Sequence, residues 1–294
     1  MKNKGTFSLS FEFFPPKTEE AKQQFRNEIP LLAKTEPQFF SVTYGAGGST
    51  RVGTIDTVKL LMQASKKIEV APHLSCIGST RDELTEVIHI YQSLGIKRIV
   101  ALRGDLPSGM GQIGELKYAY ELVALIREIA GNQFHIEVAA YPEYHPQAIT
   151  VQDDVINLKK KVEAGANSAI TQYFYNPEAY FYFLDECASQ GIFVPVTPGI
   201  MPITSFVRLA RFSDLCGAEI PLWIRKKLQS YHDDIESIKT FGIEIVYKLC
   251  ERLIAGGAPG LHFYTLNHAE PSVTLVKMLQ PLLNLKVSET FTSS

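Results

Sequence analysis

Residues 80–105 read TRDELTEVIHIYQSLGIKRIVALRGD, and the order of features in this stretch decides the fold. Thr80 and Glu83, three residues apart, make a capping box at a helix start. Leu84, Val87, Ile88 and Tyr91 then recur at the spacing of one helical face. Gly95 stands just past the last turn, where glycine accepts the left-handed conformation that ends a helix without a Cβ clash. An apolar, β-branched run follows at once and predicts a strand over 98–103, which closes on the polar Arg103-Gly104-Asp105. The stretch is one helix-to-strand unit with a polar strand end.

The same device recurs along the chain: Gly165 before Ala166, Gly191 before Ile192, and Gly256-Gly257 before Ala258. Strands are predicted over 7–14, 39–44, 69–75, 98–103, 135–141, 169–175, 193–198 and 260–265, with helical stretches between them. Strict alternation implies a parallel sheet with crossover helices, and eight units make a closed (β/α)8 TIM barrel; an open doubly wound sheet is the alternative. The longer gap between the seventh and eighth strands carries extra helices over 204–215, 222–230 and 233–253. No linker or repeat marks a boundary, so 1–294 is expected to be a single domain.

The 294 residues include 29 Lys+Arg and 31 Asp+Glu, a formal net charge of −2. This balance offers no field for nucleic acid or an anionic membrane. The N-terminal stretch is broken by Ser8, Ser10 and Glu12 and does not form a signal-peptide core. The uncharged run 191–207 contains Pro195, Pro198 and Pro202 and is shorter than the roughly 20 residues of a spanning helix. Cys76, Cys187, Cys216 and Cys250 are far apart, with no Cys-x-x-Cys, which suggests neither a zinc knuckle nor a redox pair and points to a reducing cytoplasm.

In a parallel barrel the site lies at the carboxyl ends of the strands. Polar residues gather there: Glu12, then Thr43 and Tyr44, His73, Arg103 and Asp105, Tyr141 with Glu143 and His145, Gln172, and Tyr264 with Thr265 and Asn267. Phe7, Leu9, Phe11 and Phe13 alternate with Ser8, Ser10, Glu12 and Phe14, so Glu12 shares a face with two small serines that leave room for a ligand. A lone strand-end glutamate reads as an ion-pair partner, but Asp105 and His73 on the same rim turn the reading toward an acid at a ligand site. A carboxyl group shielded beside aromatic surface keeps its proton to higher pH, as a general acid working near neutrality requires.

Arg103-Gly104-Asp105 suits a polyfunctional ligand and equally a tight turn with an internal salt bridge. Asp154, Asn157, Lys160 and Lys161 share one helix, with 154, 157 and 161 on one face; this is a solvated face or a phosphate or ribose contact. His73 and His145 read as ligand contacts or as core residues. The glycine-rich stretch 45–50 lacks a P-loop lysine, and 109–114 matches G-x-G-x-x-G without the tight strand-to-helix turn of a dinucleotide fingerprint. No spacing of metal ligands is present.

Several ordered motifs then carry a resemblance: Phe11-Glu12-Phe13-Phe14-Pro15-Pro16-Lys17, Val42-Thr43-Tyr44-Gly45, Ala71-Pro72-His73-Leu74, Ala101-Leu102-Arg103-Gly104-Asp105 and Ala140-Tyr141-Pro142-Glu143. Ala164-Gly165-Ala166-Asn167, Thr171-Gln172, Pro198-Gly199-Ile200 and His262-Phe263-Tyr264-Thr265-Leu266-Asn267 continue it nearly to the end. Together they resemble the methylenetetrahydrofolate reductase family in its compact bacterial form. The resemblance implies a barrel with noncovalent FAD, reduced by NADH or NADPH, that converts 5,10-methylenetetrahydrofolate to 5-methyltetrahydrofolate. This reaction serves one-carbon metabolism and methionine biosynthesis. No C-terminal regulatory domain of the long eukaryotic kind is expected, and a symmetric homo-oligomer is.

By the same resemblance Glu12 is the general acid that protonates N10 and opens the five-membered ring, and Asp105 binds the pterin and tunes the flavin. Thr43, Tyr44, His73, Arg103, Gly104, Asp105, Ala119, Tyr141, His145, Asp154, Asn157, Lys160 and Lys161 match FAD contacts. Gln172, Arg208, Phe212, Tyr264 and His268 match substrate contacts, Phe212 as a stacking aromatic. Arg208 stands where enterobacterial members carry Gln, and His268 where they carry Arg, which moves a cation near the folate. One flavin face serving two substrates in turn implies ping-pong kinetics. A cofactor-free acid/base barrel enzyme using Glu12 and Asp105, and a folate-binding barrel without turnover, are the competing readings.

Overall fold

The computed structural model describes residues 7–44, 48–105, 114–143, 145–148 and 150–289. The elements run β1 (Ser8–Phe13), α1 (Glu19–Ala33), β2 (Phe39–Val42), α2 (Gly48–Ala64), β3 (Glu69–Ser75), α3 (Arg81–Ser93), β4 (Arg98–Leu102) and α4 (Ala119–Ala130). They continue with β5 (His135–Ala140), α5 (Val151–Glu163), β6 (Ser168–Tyr173), α6 (Pro177–Ser189) and β7 (Val196–Ile200). Three helices precede the last strand: α7 (Phe206–Cys216), α8 (Leu222–Ser230) and α9 (Ile235–Ala255), followed by β8 (Gly260–Tyr264) and α10 (Glu270–Glu289). Every strand pairs in parallel with its sequence neighbour, and β8 returns to β1 to close the barrel. The alternative of an open doubly wound sheet is thereby excluded.

The local signals act as their chemistry requires. Thr80 and Glu83 form both bonds of the capping box at the start of α3. Gly95, Gly165, Gly191 and Gly257 all have positive φ, and in the Gly256-Gly257 pair it is the second that turns the chain. β7 begins three residues later than the sequence pattern suggests. Phe193 is 80% exposed, so the apolar residues before Pro195 lie outside the sheet, and the strand forms only after that proline.

The alternation in β1 sorts its side chains between two cores. Phe11 and Phe13 point outward to the helices, where Phe13 meets Phe25 of α1 edge-on with ring centroids 4.9 Å apart. Phe39, Ala71, Val100 and Ile170 form a separate small cluster inside the barrel. Phe39 is its central plate: the Arg98 guanidinium stacks on it at 4.7 Å, and the ring of His262 lies 5.9 Å from it. It thereby separates a charge network at the strand starts, Arg98 with Glu137, from the polar groups at the strand ends.

Candidate active site

β1 and β8 bring the central group together. Their register pairs Ser10 with His262 and Glu12 with Tyr264. The Glu12 carboxylate reaches two imidazoles, with Oε2 3.5 Å from Nε2 of His73 and 3.8 Å from Nε2 of His262. Both ring nitrogens are buried and have no hydrogen-bond partner, while Nδ1 of His262 lies 2.7 Å from the Ser10 hydroxyl. Burial pushes His73 down to about 4, the negative charge of Glu12 opposing this and His262 adding to it, so the His73 ring is neutral near pH 7.

The backbone that carries Glu12 is fixed from the far end of the chain. Thr265 Oγ1 donates to the Glu12 carbonyl at 2.6 Å. Asn267 accepts from the Phe14 N–H and donates to the Phe14 carbonyl. Leu266 and Asn267 adopt positive φ to make this clasp, a conformation that asparagine tolerates and leucine holds only under constraint.

Glu12 opens into a cavity of about 430 Å³ lined also by Thr43, Tyr44, His73, Gln172, Phe212 and Tyr264. A second cavity of about 260 Å³ is lined by Arg103, Ala119, His145, Asp154, Asn157 and Lys161. Gly104, Asp105 and Tyr141 belong to both, so the two form one continuous groove across the strand ends. Gly104 has φ +84°, and a Cβ there would fall 1.8 Å from the Ser75 hydroxyl oxygen. Only glycine brings the backbone this close to the groove floor.

The narrower arm carries balanced charges. Lys161 is buried and donates to the Ala139 carbonyl; burial pulls it down to about 8, and Asp154 opposes this. Burial raises Asp154, although its carboxylate accepts the His145 N–H at 2.9 Å. His145 is lowered by burial and by the nearby Arg103 guanidinium. Arg103 bonds Gln147 and sits 4.0 Å from Asp105, whose side chain is 95% exposed, so the turn leaves the aspartate free to meet a ligand.

Three expected site residues are not among those that line the groove. Lys160 points to the Tyr120 ring, 5.6 Å away, because one step along α5 turns it off the face of Asp154, Asn157 and Lys161. Arg208 is exposed on α7, and His268 is exposed with Nδ1 3.4 Å from the Gln24 amide nitrogen; neither lines the groove. Residues 45–47 and 109–113 of the glycine stretches lie outside the described residues. Ser10, expected to leave room for a ligand, is buried and filled against His262, which had no assigned role although the two-residue alternation of β8 puts it on the face of Tyr264. Among the described residues, no group of His, Cys, Asp and Glu could hold a metal ion, and no helix is long and apolar enough to cross a membrane.

A family model described as methylenetetrahydrofolate reductase matches residues 1–280. The chain is 44% identical over 275 residues to 5,10-methylenetetrahydrofolate reductase of Salmonella typhimurium, covering 94% of this chain and 91% of that protein. It is 34% identical to methylenetetrahydrofolate reductase (NADH) 1 of Arabidopsis thaliana, across 97% of this chain and 50% of that protein. Among solved structures, a Clostridium thermocellum protein that binds two copies of 5-methyl-5,6,7,8-tetrahydrofolic acid superposes with TM-score 0.69 at 18% identity, over 95% of this chain and 97% of that one. That likeness carries the fold.

Proposed function

The chain belongs to the methylenetetrahydrofolate reductase family, whose reaction is the reduction of 5,10-methylenetetrahydrofolate to 5-methyltetrahydrofolate, and from that premise we propose a division of labour along the groove. The wider cavity takes the folate, with Glu12 as the acid and Gln172, Phe212 and Tyr264 around the pterin. The arm with Asp154, Asn157 and Lys161 would hold the phosphates and ribose of FAD, and Gly104 and Tyr141 would face its flat ring system. The donor set fits: a buried cation and a short amide for anionic oxygens, and a glycine that admits a flat ring system. A flavin bound there would supply two-electron transfer from NADH or NADPH to the folate, with the two substrates using the site in turn.

The chain's own residues supply the proton and the geometry. Glu12 delivers a proton to N10 of the substrate, which opens the five-membered ring and leaves the one-carbon unit electrophilic. The neutral His73 ring stands 3.5 Å from one carboxyl oxygen of Glu12, and His262, itself bonded to Ser10, stands 3.8 Å from the same oxygen, so the two rings flank the acid. The Thr265 and Asn267 clasp keeps the acid aimed into the cavity. Asp105, exposed at the junction of both cavities, binds the pterin edge.

The observation that carries this reading is a carboxylate between two buried imidazoles, opening onto a groove that is continuous with a site for an anionic cofactor. Its test is the visible spectrum of the purified, untagged protein before and after adding NADH without oxygen. A two-band flavin spectrum that bleaches supports the reductive half-reaction. A colourless protein that takes up no added FAD overturns it in favour of cofactor-free acid/base chemistry.

A further inference from the structure

Glu143 lies in the loop after β5, two residues beyond Tyr141 and two before His145, both of which line the groove. Its Oε2 accepts the backbone N–H of Glu219 at 2.8 Å, across 76 residues of chain. Glu219 stands in the turn between α7 and α8, just past Gly217, whose left-handed conformation ends α7. α7 provides Phe212, Leu215 and Cys216 to the wall of the wider cavity, and Tyr173 holds the same helix from the barrel side through Ser213 at 3.0 Å. One carboxyl group therefore joins the loop of the narrow arm to the wall of the wide one.

We propose that Glu143 is a positioning residue, a latch that in its neutral form holds the α7–α8 turn against the β5 loop and so keeps the α7 wall of the substrate cavity in place, and that loosens when it ionises. Oε1 of Glu143 is buried with no hydrogen-bond partner, so a negative charge there loses its hydration without full compensation. The groups that face it are the Glu219 carboxylate, which repels a charge, the Glu219 N–H, which favours one, and the Tyr173 hydroxyl. Burial, the largest influence, raises Glu143 to about 7.

The direction of the switch follows from linkage. A carboxyl group that binds its proton more tightly in the latched form than in water is latched by protons. The latching contribution is fully present below the ordinary carboxylate value and is lost as pH rises through about 7.

The kinetic part of this inference rests on the folate reading of the cavity, whereas a fluorescence test stands without it. Trp223, the single tryptophan of the chain, is the second residue of α8, four residues past Glu219, and its ring packs edge-on against Phe241. Trp223 emission of the full chain, titrated from about pH 5.5 to about pH 8.5, is expected to show one transition with a midpoint near 7. Glu143→Gln keeps an acceptor for the Glu219 N–H and stays neutral, so it abolishes the transition. Glu219→Gln alters an exposed side chain, leaves the N–H in place and moves the midpoint down.

No transition in the unsubstituted protein, a transition that survives unchanged in Glu143→Gln, or an unmoved midpoint in Glu219→Gln overturns the latch. In turnover assays KM for methylenetetrahydrofolate rises by about three- to tenfold over the alkaline limb in the unsubstituted protein and stays flat in Glu143→Gln. A flat KM in both proteins refutes control of the cavity. A titrating Trp223 in a protein without folate turnover overturns the reductase reading and supports the latch.

Discussion

Replacing Glu137 with alanine tests whether the interior of the barrel start is held by a charge pair. Glu137 and Arg98 are both buried, their side chains 5% and 8% exposed, with Oε1 2.5 Å from Nη1. Ser168 donates to the other carboxylate oxygen at 2.6 Å, and Nε2 of His135 lies 3.3 Å from Oε1. Removing one member of a buried pair costs about 3–5 kcal/mol, because the remaining charge is left without compensation. Arg98 keeps a half-exposed partner, Glu69 at 3.1 Å, and its stacking on Phe39, which places the cost at the lower end, about 3 kcal/mol. For a domain of this size the melting temperature then falls by about 6–12 °C.

The double variant Arg98→Met/Glu137→Leu removes both charges and is expected to recover to within about 1 kcal/mol of the unsubstituted protein. Ser168 and His135 remain satisfied there by their own 2.5 Å contact. The pH dependence has a definite sign. Burial raises Glu137, but the His135 hydrogen bond, the Arg98 charge and the Ser168 hydroxyl outweigh it and leave the group below its ordinary value. Its stabilisation is present above the ordinary carboxylate value and is lost as pH falls below it, so Glu137→Ala flattens the acid limb of the stability profile. The assays are thermal melts and urea titrations at several pH values. A melting shift under about 2 °C, or a double variant no better than Glu137→Ala, refutes the reasoning. Because Phe39 separates this network from Glu12, kcat/KM at a permissive temperature stays within about twofold.

Glu12→Gln is expected to slow folate reduction by about 10²- to 10⁴-fold while NADH oxidation by an artificial acceptor continues, since only the folate step needs the proton; equal loss in both assays counts against the acid role. Lys161→Met removes the buried cation and weakens FAD binding by about tenfold or more in equilibrium ultrafiltration, and retained affinity would reassign the narrow arm. His73, held at about 4 against an ordinary 6.5, contributes stability that is present above 6.5 and lost as pH falls through 4. His73→Asn should therefore raise acid tolerance in urea titrations, and an unchanged acid limb would mean the ring protonates freely in the fold.

The barrel was legible because its signals are local. Caps, glycine stops and two-residue alternation act within a few residues of chain, so 80–105 alone carries the repeating unit, and β1 declares which face of Glu12 is inward. The boundary of β7 was not legible, because whether Phe193 belongs to a strand depends on whether a neighbouring surface covers it. The candidate acid and most of the groove were found by their place at strand ends, where barrel topology gathers polar groups whatever their neighbours.

Pairings between distant segments were decided only by the tertiary structure. Ser10 and His262 are 252 residues apart and meet because β8 closes on β1. Lys160 and Lys161 are adjacent in sequence, yet one lies on an aromatic ring and the other in the groove, because each residue along a helix turns the side chain by roughly 100°. Glu143 and Glu219 meet only because the inserted helices fold back over the strand ends. Residue type and spacing thus determined the fold and the chemistry on offer. Burial decided which groups are charged at neutral pH, since desolvation depends on every element packed around a side chain and on none of them alone.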